Sequence, residues 1–179
     1  MVNLSNPIDF LYRTYSKSLL RYLTRLTGSE QLAEDIVHET FVKAIIGIKT
    51  INYEQAHLWL FTVARRTYLD EWRKQQRRKK STIYQFFLKE KDMFSPYGMP
   101  EEQLLAGQQL LEIEQLLKLL PEHYRTILLL REYECLTYEE IAVVTNYSVD
   151  QVKVTLYRAR KKLAKHGQQW EDDNDETAT

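Results

Sequence analysis

Residues 136–163 read Leu136-Thr-Tyr-Glu-Glu-Ile-Ala-Val-Val-Thr-Asn-Tyr-Ser-Val-Asp-Gln-Val-Lys-Val-Thr-Leu-Tyr-Arg-Ala-Arg-Lys-Lys-Leu163, and this stretch decides the fold. Thr137 and Glu140 stand three residues apart, the spacing of a capping box in which each side chain satisfies the other's backbone amide. Ser148 and Gln151 repeat the pattern. Between them Asn146 and Tyr147 fill a tight turn after a helix that reaches about Val144. Two capped helices joined by so few residues must cross steeply, which is a helix-turn-helix. The second helix, from Val149 to about Lys165, has two faces. Val149, Val152, Leu156, Ala159 and Leu163 form an apolar stripe at helical spacing. Gln151, Val154, Tyr157, Arg158, Lys161 and Lys165 lie opposite, with Lys153 and Arg160 flanking. Arginine reads guanine edges, glutamine reads adenine edges, and lysine suits phosphates.

Helical spacing continues outward through the chain, and no run of alternating β-branched residues reads as a strand. The fold class is therefore all-α, as two small helical domains. One helix spans 8–27 and ends at Gly28 as a residue past its C-terminus. Ser29 caps a second helix over about 29–46, and Gly47 breaks it. A loop leads to a third helix over about 55–80. Residues 81–100, with Pro96, Gly98 and Pro100, read as a linker holding a short helical piece near 83–89. Leu104, Leu110, Leu111, Leu117 and Leu120 mark another helix, and Pro121 is placed as the first residue of a helix over 121–134.

The net charge of zero hides strong segregation. Residues 65–80 carry eight Lys or Arg against two acids, 148–166 carry six against one, and 171–179 carry five acids and no base. Such clusters mark electrostatic surfaces better than the sum does. The acidic end reads either as a solvated tail or as an arm folding back on the basic helix. The longest apolar runs fall far short of the roughly 20 residues that cross a bilayer, so no membrane insertion is expected. The first residues lack the marks of a secretory signal, and the single Cys135 suits a reducing cytoplasm. His38, His57, His123 and His166 are scattered, no spacing suits zinc, and no glycine-rich phosphate loop or nucleophile elbow is present. Catalysis, a metal, a cofactor and a small-molecule substrate are not expected.

Two surfaces stand out in the N-terminal half. On the second helix Val37, Phe41 and Ala44 point inward, while Asp35, Glu39, Val42 and Ile46 share another side. Acids mixed with aliphatics fit a protein partner, and from spacing alone fit an ordinary exposed face equally well. On the third helix Leu60, Ala64 and Leu69 read as core. Arg65, Arg66, Arg73, Lys74, Arg77 and Arg78 form a basic surface interleaved with Trp59, Phe61, Tyr68 and Trp72. Basic groups with aromatics suit melted nucleic acid, whose bases stack on rings; Trp59 reads as core at least as readily.

In this order the pieces resemble the small extracytoplasmic-function sigma factors of the bacterial sigma-70 family. Ala33-Glu-Asp-Ile-Val-His-Glu-Thr-Phe-Val-Lys-Ala44 is similar to region 2.2, and Trp59-Leu-Phe-Thr-Val-Ala-Arg-Arg-Thr-Tyr-Leu-Asp70 with Arg73 to regions 2.3 and 2.4. Leu119-Leu-Pro-Glu-His-Tyr-Arg125 and the two helices quoted first are similar to region 4. The resemblance implies a sigma factor that brings core RNA polymerase to promoters and melts them. It implies region 2 over 1–80, a linker over 81–103, region 4 over 104–168 and an acidic tail over 169–179. Asp35, His38, Glu39, Phe41 and Val42 would dock the β′ clamp helices, and region 4 would meet the β flap. The loop 48–57 would capture a flipped base. Trp59, Arg65, Arg66, Tyr68, Arg73, Lys74 and Arg77 would hold the −10 element. Gln151, Lys153, Val154, Tyr157, Arg158, Arg160 and Lys161 would face the −35 element. An anti-sigma partner and a cytoplasmic location, with that partner able to hold the chain at the membrane, are implied too. His38 stands where the family often has Gln, Arg66 where Asn is common, and Val154 and Thr155 where Ser and Arg are usual. The rival reading is a stand-alone helix-turn-helix repressor or activator, which would dimerise on a palindrome.

Overall fold

The computed structural model describes residues 7–47, 55–79 and 113–177, with side chains described to 77 in the second segment and to 167 in the third. The linker over 81–103 with its helical piece at 83–89, the loop 48–54 and the leucines at 104–111 lie outside the described residues.

Helix α1 spans Pro7–Thr27 and buries Leu11, Leu19, Tyr22, Leu23 and Leu26. Gly28 ends it at φ +71°, donating to the Thr24 carbonyl at 2.8 Å. Glycine, lacking a Cβ, takes that backbone conformation without strain. Ser29 then caps α2, Glu30–Gly47, its hydroxyl accepting from the Leu32 amide at 3.3 Å. Gly47 is the last residue of α2, one place later than the sequence suggests. Helix α3 spans Ala56–Lys79. Its Leu58, Leu60, Phe61, Ala64 and Tyr68 pack with the inner faces of α1 and α2.

The C-terminal half begins with a short helical stretch, α4, over 113–118. Pro121 is the N-cap of α5, Glu122–Leu128, and not its first helical residue. At ψ 146° it is extended, and its carbonyl accepts from the Tyr124 and Arg125 amides. The expected helix over 121–134 changes pitch after Leu128: Leu129–Tyr133 form a π-turn. The wider turn lets Leu129 and Leu130 be buried side by side while Glu132 and Tyr133 face outward. Cys135 then takes φ 55° and the chain enters α6, Tyr138–Thr145.

The helix-turn-helix is built as its two boxes predict. The Thr137 hydroxyl accepts from the Glu140 amide at 3.2 Å, and the Glu140 carboxylate accepts from the Thr137 amide at 2.8 Å. Asn146 closes α6 in the left-handed region at φ 59°, and the Tyr147 amide reaches back to the Ala142 carbonyl. The Ser148 amide donates to the Gln151 side chain at 2.8 Å, and the Gln151 amide to the Ser148 hydroxyl at 3.2 Å. Helix α7 runs from Val149 to Thr177. It is longer than expected, and the acidic stretch continues it instead of folding back.

Val152, Leu156 and Ala159 seat α7 on α5 and α6, in one apolar cluster that continues into α1, α2 and α3. The two halves expected from the sequence are thus packed against each other.

Candidate nucleic-acid interface

The outer face of α7 stands clear of the core. Gln151, Lys153, Val154, Tyr157, Arg158, Arg160 and Lys161 are all exposed, Tyr157 at 67%. Among the described residues Lys153, Arg158 and Lys161 pair with no carboxylate. Two residues are already engaged. The Gln151 carbonyl oxygen caps its own helix by accepting from the Ser148 amide. Arg160 donates twice to Glu132 on the π-turn, at 3.1 and 2.5 Å.

The α3 surface divides. Arg66, Arg73, Lys74 and Arg77 are exposed, Trp72 partly so, and Trp59 is half-buried against the core. Arg73 pairs with Asp70 at 3.1 Å and Lys74 with Glu71 at 2.5 Å. These residues line a shallow cleft of about 250 Å³ beside Glu39 and Thr67. Phe61 and Tyr68, expected as stacking rings, are in the core instead. Phe61 meets Tyr22 edge to face, and burial pushes the Tyr68 phenol up to about 12. Arg65 is only 9% exposed and donates to the Thr145 carbonyl at 3.5 Å. As packed here, neither Arg65 nor Tyr68 can reach nucleic acid. A helix covered on two sides has a wider buried arc than one stripe predicts, and α3 is covered by α1 and α2 on one side and by α6 on the other.

On α2, Asp35, His38, Glu39 and Val42 are exposed. Phe41 is buried and packs edge to face on Tyr12 at 4.9 Å, so it supports this face from beneath and offers no contact of its own. Lys43 ties Glu39 at 2.6 Å and Thr67 at 2.9 Å, joining α2 to α3. Ile45 and Ile46 are exposed, Ile46 at 80%. Ile45 went unnoticed in the sequence, although its spacing of three from Val42 was the signal. Among the described residues no helix is long and apolar enough to cross a membrane, and no group of three or more His, Cys, Asp or Glu could hold a metal ion.

Residues 11–78 match the Sigma-70 region 2 family and residues 110–163 match the Sigma-70, region 4 family. The chain is 33% identical over 165 residues to RNA polymerase sigma factor YlaC of Bacillus subtilis, covering 90% of this chain and 92% of that one. It is 33% identical over 160 residues to ECF RNA polymerase sigma factor SigM of the same organism, covering 87% and 92%. Its fold matches the sigma factor RpoE of Bartonella quintana, solved with the anti-sigma factor NepR, at a TM-score of 0.72 and 21% identity over 89% of this chain and 95% of that one. A match to both regions in order leaves the stand-alone repressor or activator reading without support. The chain belongs to the extracytoplasmic-function sigma factors of the sigma-70 family, which direct RNA polymerase to specific promoters and initiate transcription there.

Proposed function

We propose that the exposed face of α7 reads the −35 element, that α3 and the loop before it hold the −10 element, and that α2 docks the β′ clamp helices of core polymerase. The observation that carries this reading is the α7 face itself. Two capping boxes fix it, and Lys153, Arg158 and Lys161 stand on it without carboxylate partners among the described residues. Arg66, Arg73, Lys74 and Arg77 supply phosphate contacts for the upstream edge of the −10 element, with Trp59 and Trp72 as the rings nearest to hand. On α2 the contacts come from Asp35, His38, Glu39 and Val42, extended by Ile45 and Ile46. On this reading 1–80 form region 2, 81–103 the linker, 104–168 region 4, which also meets the β flap, and 169–179 an acidic extension.

Promoter melting then needs no catalysis by this chain. Flipped bases held in pockets repay an unstacking cost of a few kcal/mol per step. The expected setting is the bacterial cytoplasm, with an anti-sigma factor as a further partner, as RpoE has in its solved complex. The test is run-off transcription with core polymerase over a promoter library. Initiation should require both the chain and core polymerase, and Arg158→Ala should weaken it about tenfold or more by removing a base-edge contact. Unchanged initiation by Arg158→Ala together with Lys161→Ala would remove α7 as the reader.

A further inference from the structure

The crest of the outer face of α7 is apolar. Val154 is 47% exposed there. Val152 and Leu156, two residues to either side, are both buried, so the helix turns Val154 away from the core. Leu163, nine residues on and about two and a half turns away, packs against the core on the opposite side. Tyr157, Arg158 and Lys161 follow Val154 at spacings of three, four and seven, share its face and are exposed.

The residues around Val154 have other work. The Gln151 side chain turns back to accept from the Ser148 amide at 2.8 Å, so it serves the helix terminus. Lys153, Arg158 and Lys161 end in cations, which suit phosphate oxygens or the guanine edge. Val154 lies in the second turn of α7, near the N-terminal end, where a recognition helix meets base edges in the major groove. Guanine, adenine and cytosine present hydrogen-bonding groups in that groove, and the one apolar group there is the C5-methyl of thymine. A valine pressed onto a polar edge strips it of water and returns no hydrogen bond, which costs free energy. Against a thymine methyl, the same valine buries one apolar group on another, which is favourable. Both effects favour thymine.

We propose that Val154 is a specificity-determining residue that reads the C5-methyl group of a thymine in the −35 element. The proposal rests on the assignment of α7 to that element and deepens it. Lysines on phosphates fix the register of the helix without distinguishing sequences, and Arg158 selects guanine. Val154 adds a preference for thymine at one base pair, carried by shape and burial with no hydrogen bond.

The test uses the full chain bound to core polymerase and promoter duplexes randomised in the −35 element alone. One library carries thymine in that element. The other carries deoxyuridine, which pairs in the same way and lacks only the methyl. A transcribed barcode on each template reports which −35 sequences support initiation. The unaltered chain should enrich thymine at one position, and initiation from those templates should fall about fourfold with deoxyuridine, the worth of one buried methyl. Val154→Ala should initiate alike from thymine and deoxyuridine at that position, with an unchanged melting temperature because the side chain is exposed. Equal initiation from the two libraries by the unaltered chain overturns the reading of a methyl. A thymine preference that survives in Val154→Ala overturns the assignment to Val154. No enrichment at any randomised position, together with unchanged initiation by Arg158→Ala, overturns instead the assignment of α7 to the −35 element.

Discussion

Arg158 and Arg160 are two residues apart on one helix and are not equivalent. Arg158 faces outward without a carboxylate among the described residues, whereas Arg160 is clamped by Glu132 through two N–H groups of one guanidinium. An exposed pair of this kind contributes about 0–1 kcal/mol, little for the fold but enough to compete with a phosphate. Glu132→Ala should therefore release Arg160 toward DNA. Promoter-fragment affinity at low salt should rise severalfold, and the slope of log affinity against log salt should steepen by about one. Fluorescence anisotropy across a salt series measures this, and an unchanged slope would show that Arg160 never reaches DNA. Glu140 carries a different consequence. The Thr137 backbone amide, and next the His57 side chain, hold its carboxyl below the ordinary 4.5. A carboxylate with a lowered folded-state pKa contributes stability at higher pH and loses it as pH falls from about 4.5 through the lowered value. Glu140→Gln keeps an acceptor for the capping box but no titrating group, so its stability should vary less with pH below 4.5 than that of the unaltered chain. Chemical denaturation at several pH values compares the two, and parallel curves would assign the acid sensitivity elsewhere.

At the scale of the element, α2 presents apolar surface that the fold does not use. Val42, Ile45 and Ile46 are exposed beside Asp35, His38 and Glu39, while Phe41 and Ala44 anchor the opposite side. A cluster of exposed aliphatics rimmed by charge suits a protein partner. Ile45→Glu should weaken binding to core polymerase about tenfold or more, within the range of an interface anchor, without lowering the melting temperature. Competition against the unaltered chain for core polymerase tests it, and equal competition would move the docking face away from Ile45. The elements also show what could be read in advance. The two capping boxes and Gly28 were legible because each follows a local rule about one amide or one φ angle. The π-turn at Leu129–Tyr133 was not, because it answers to the packing of Leu129 and Leu130 and no local residue announces it. Pro121 stands one position earlier than expected because its extended ψ of 146° leaves it outside the helix as the N-cap.

For the whole molecule, the helices and their order were legible, whereas the contact between the halves was not. Arg65 and Tyr68 looked like a nucleic-acid surface because one stripe of α3 already sufficed for a three-helix core, and nothing local reveals a second neighbour. Only the three-dimensional pairing of α3 with α6 and of α1 with the π-turn reveals this seam between the two halves. That seam has a thermodynamic consequence. Two small domains joined by a linker alone unfold independently, whereas domains sharing a continuous buried cluster unfold together. Calorimetry of the free chain should show one transition. Glu134→Lys places a third cation beside Arg21 and Arg25, which flank Glu134, and removes the acceptor of Ser18. Its named side-chain partners, Ser18, Arg21 and Arg25, all lie on α1, so it should uncouple the halves without unfolding either. The single transition should then split, and the less stable half should melt roughly 4–8 °C lower for each 1 kcal/mol of seam free energy lost. Two transitions in the unaltered chain, or one unchanged transition in Glu134→Lys, would mean that the seam does not couple the halves in solution.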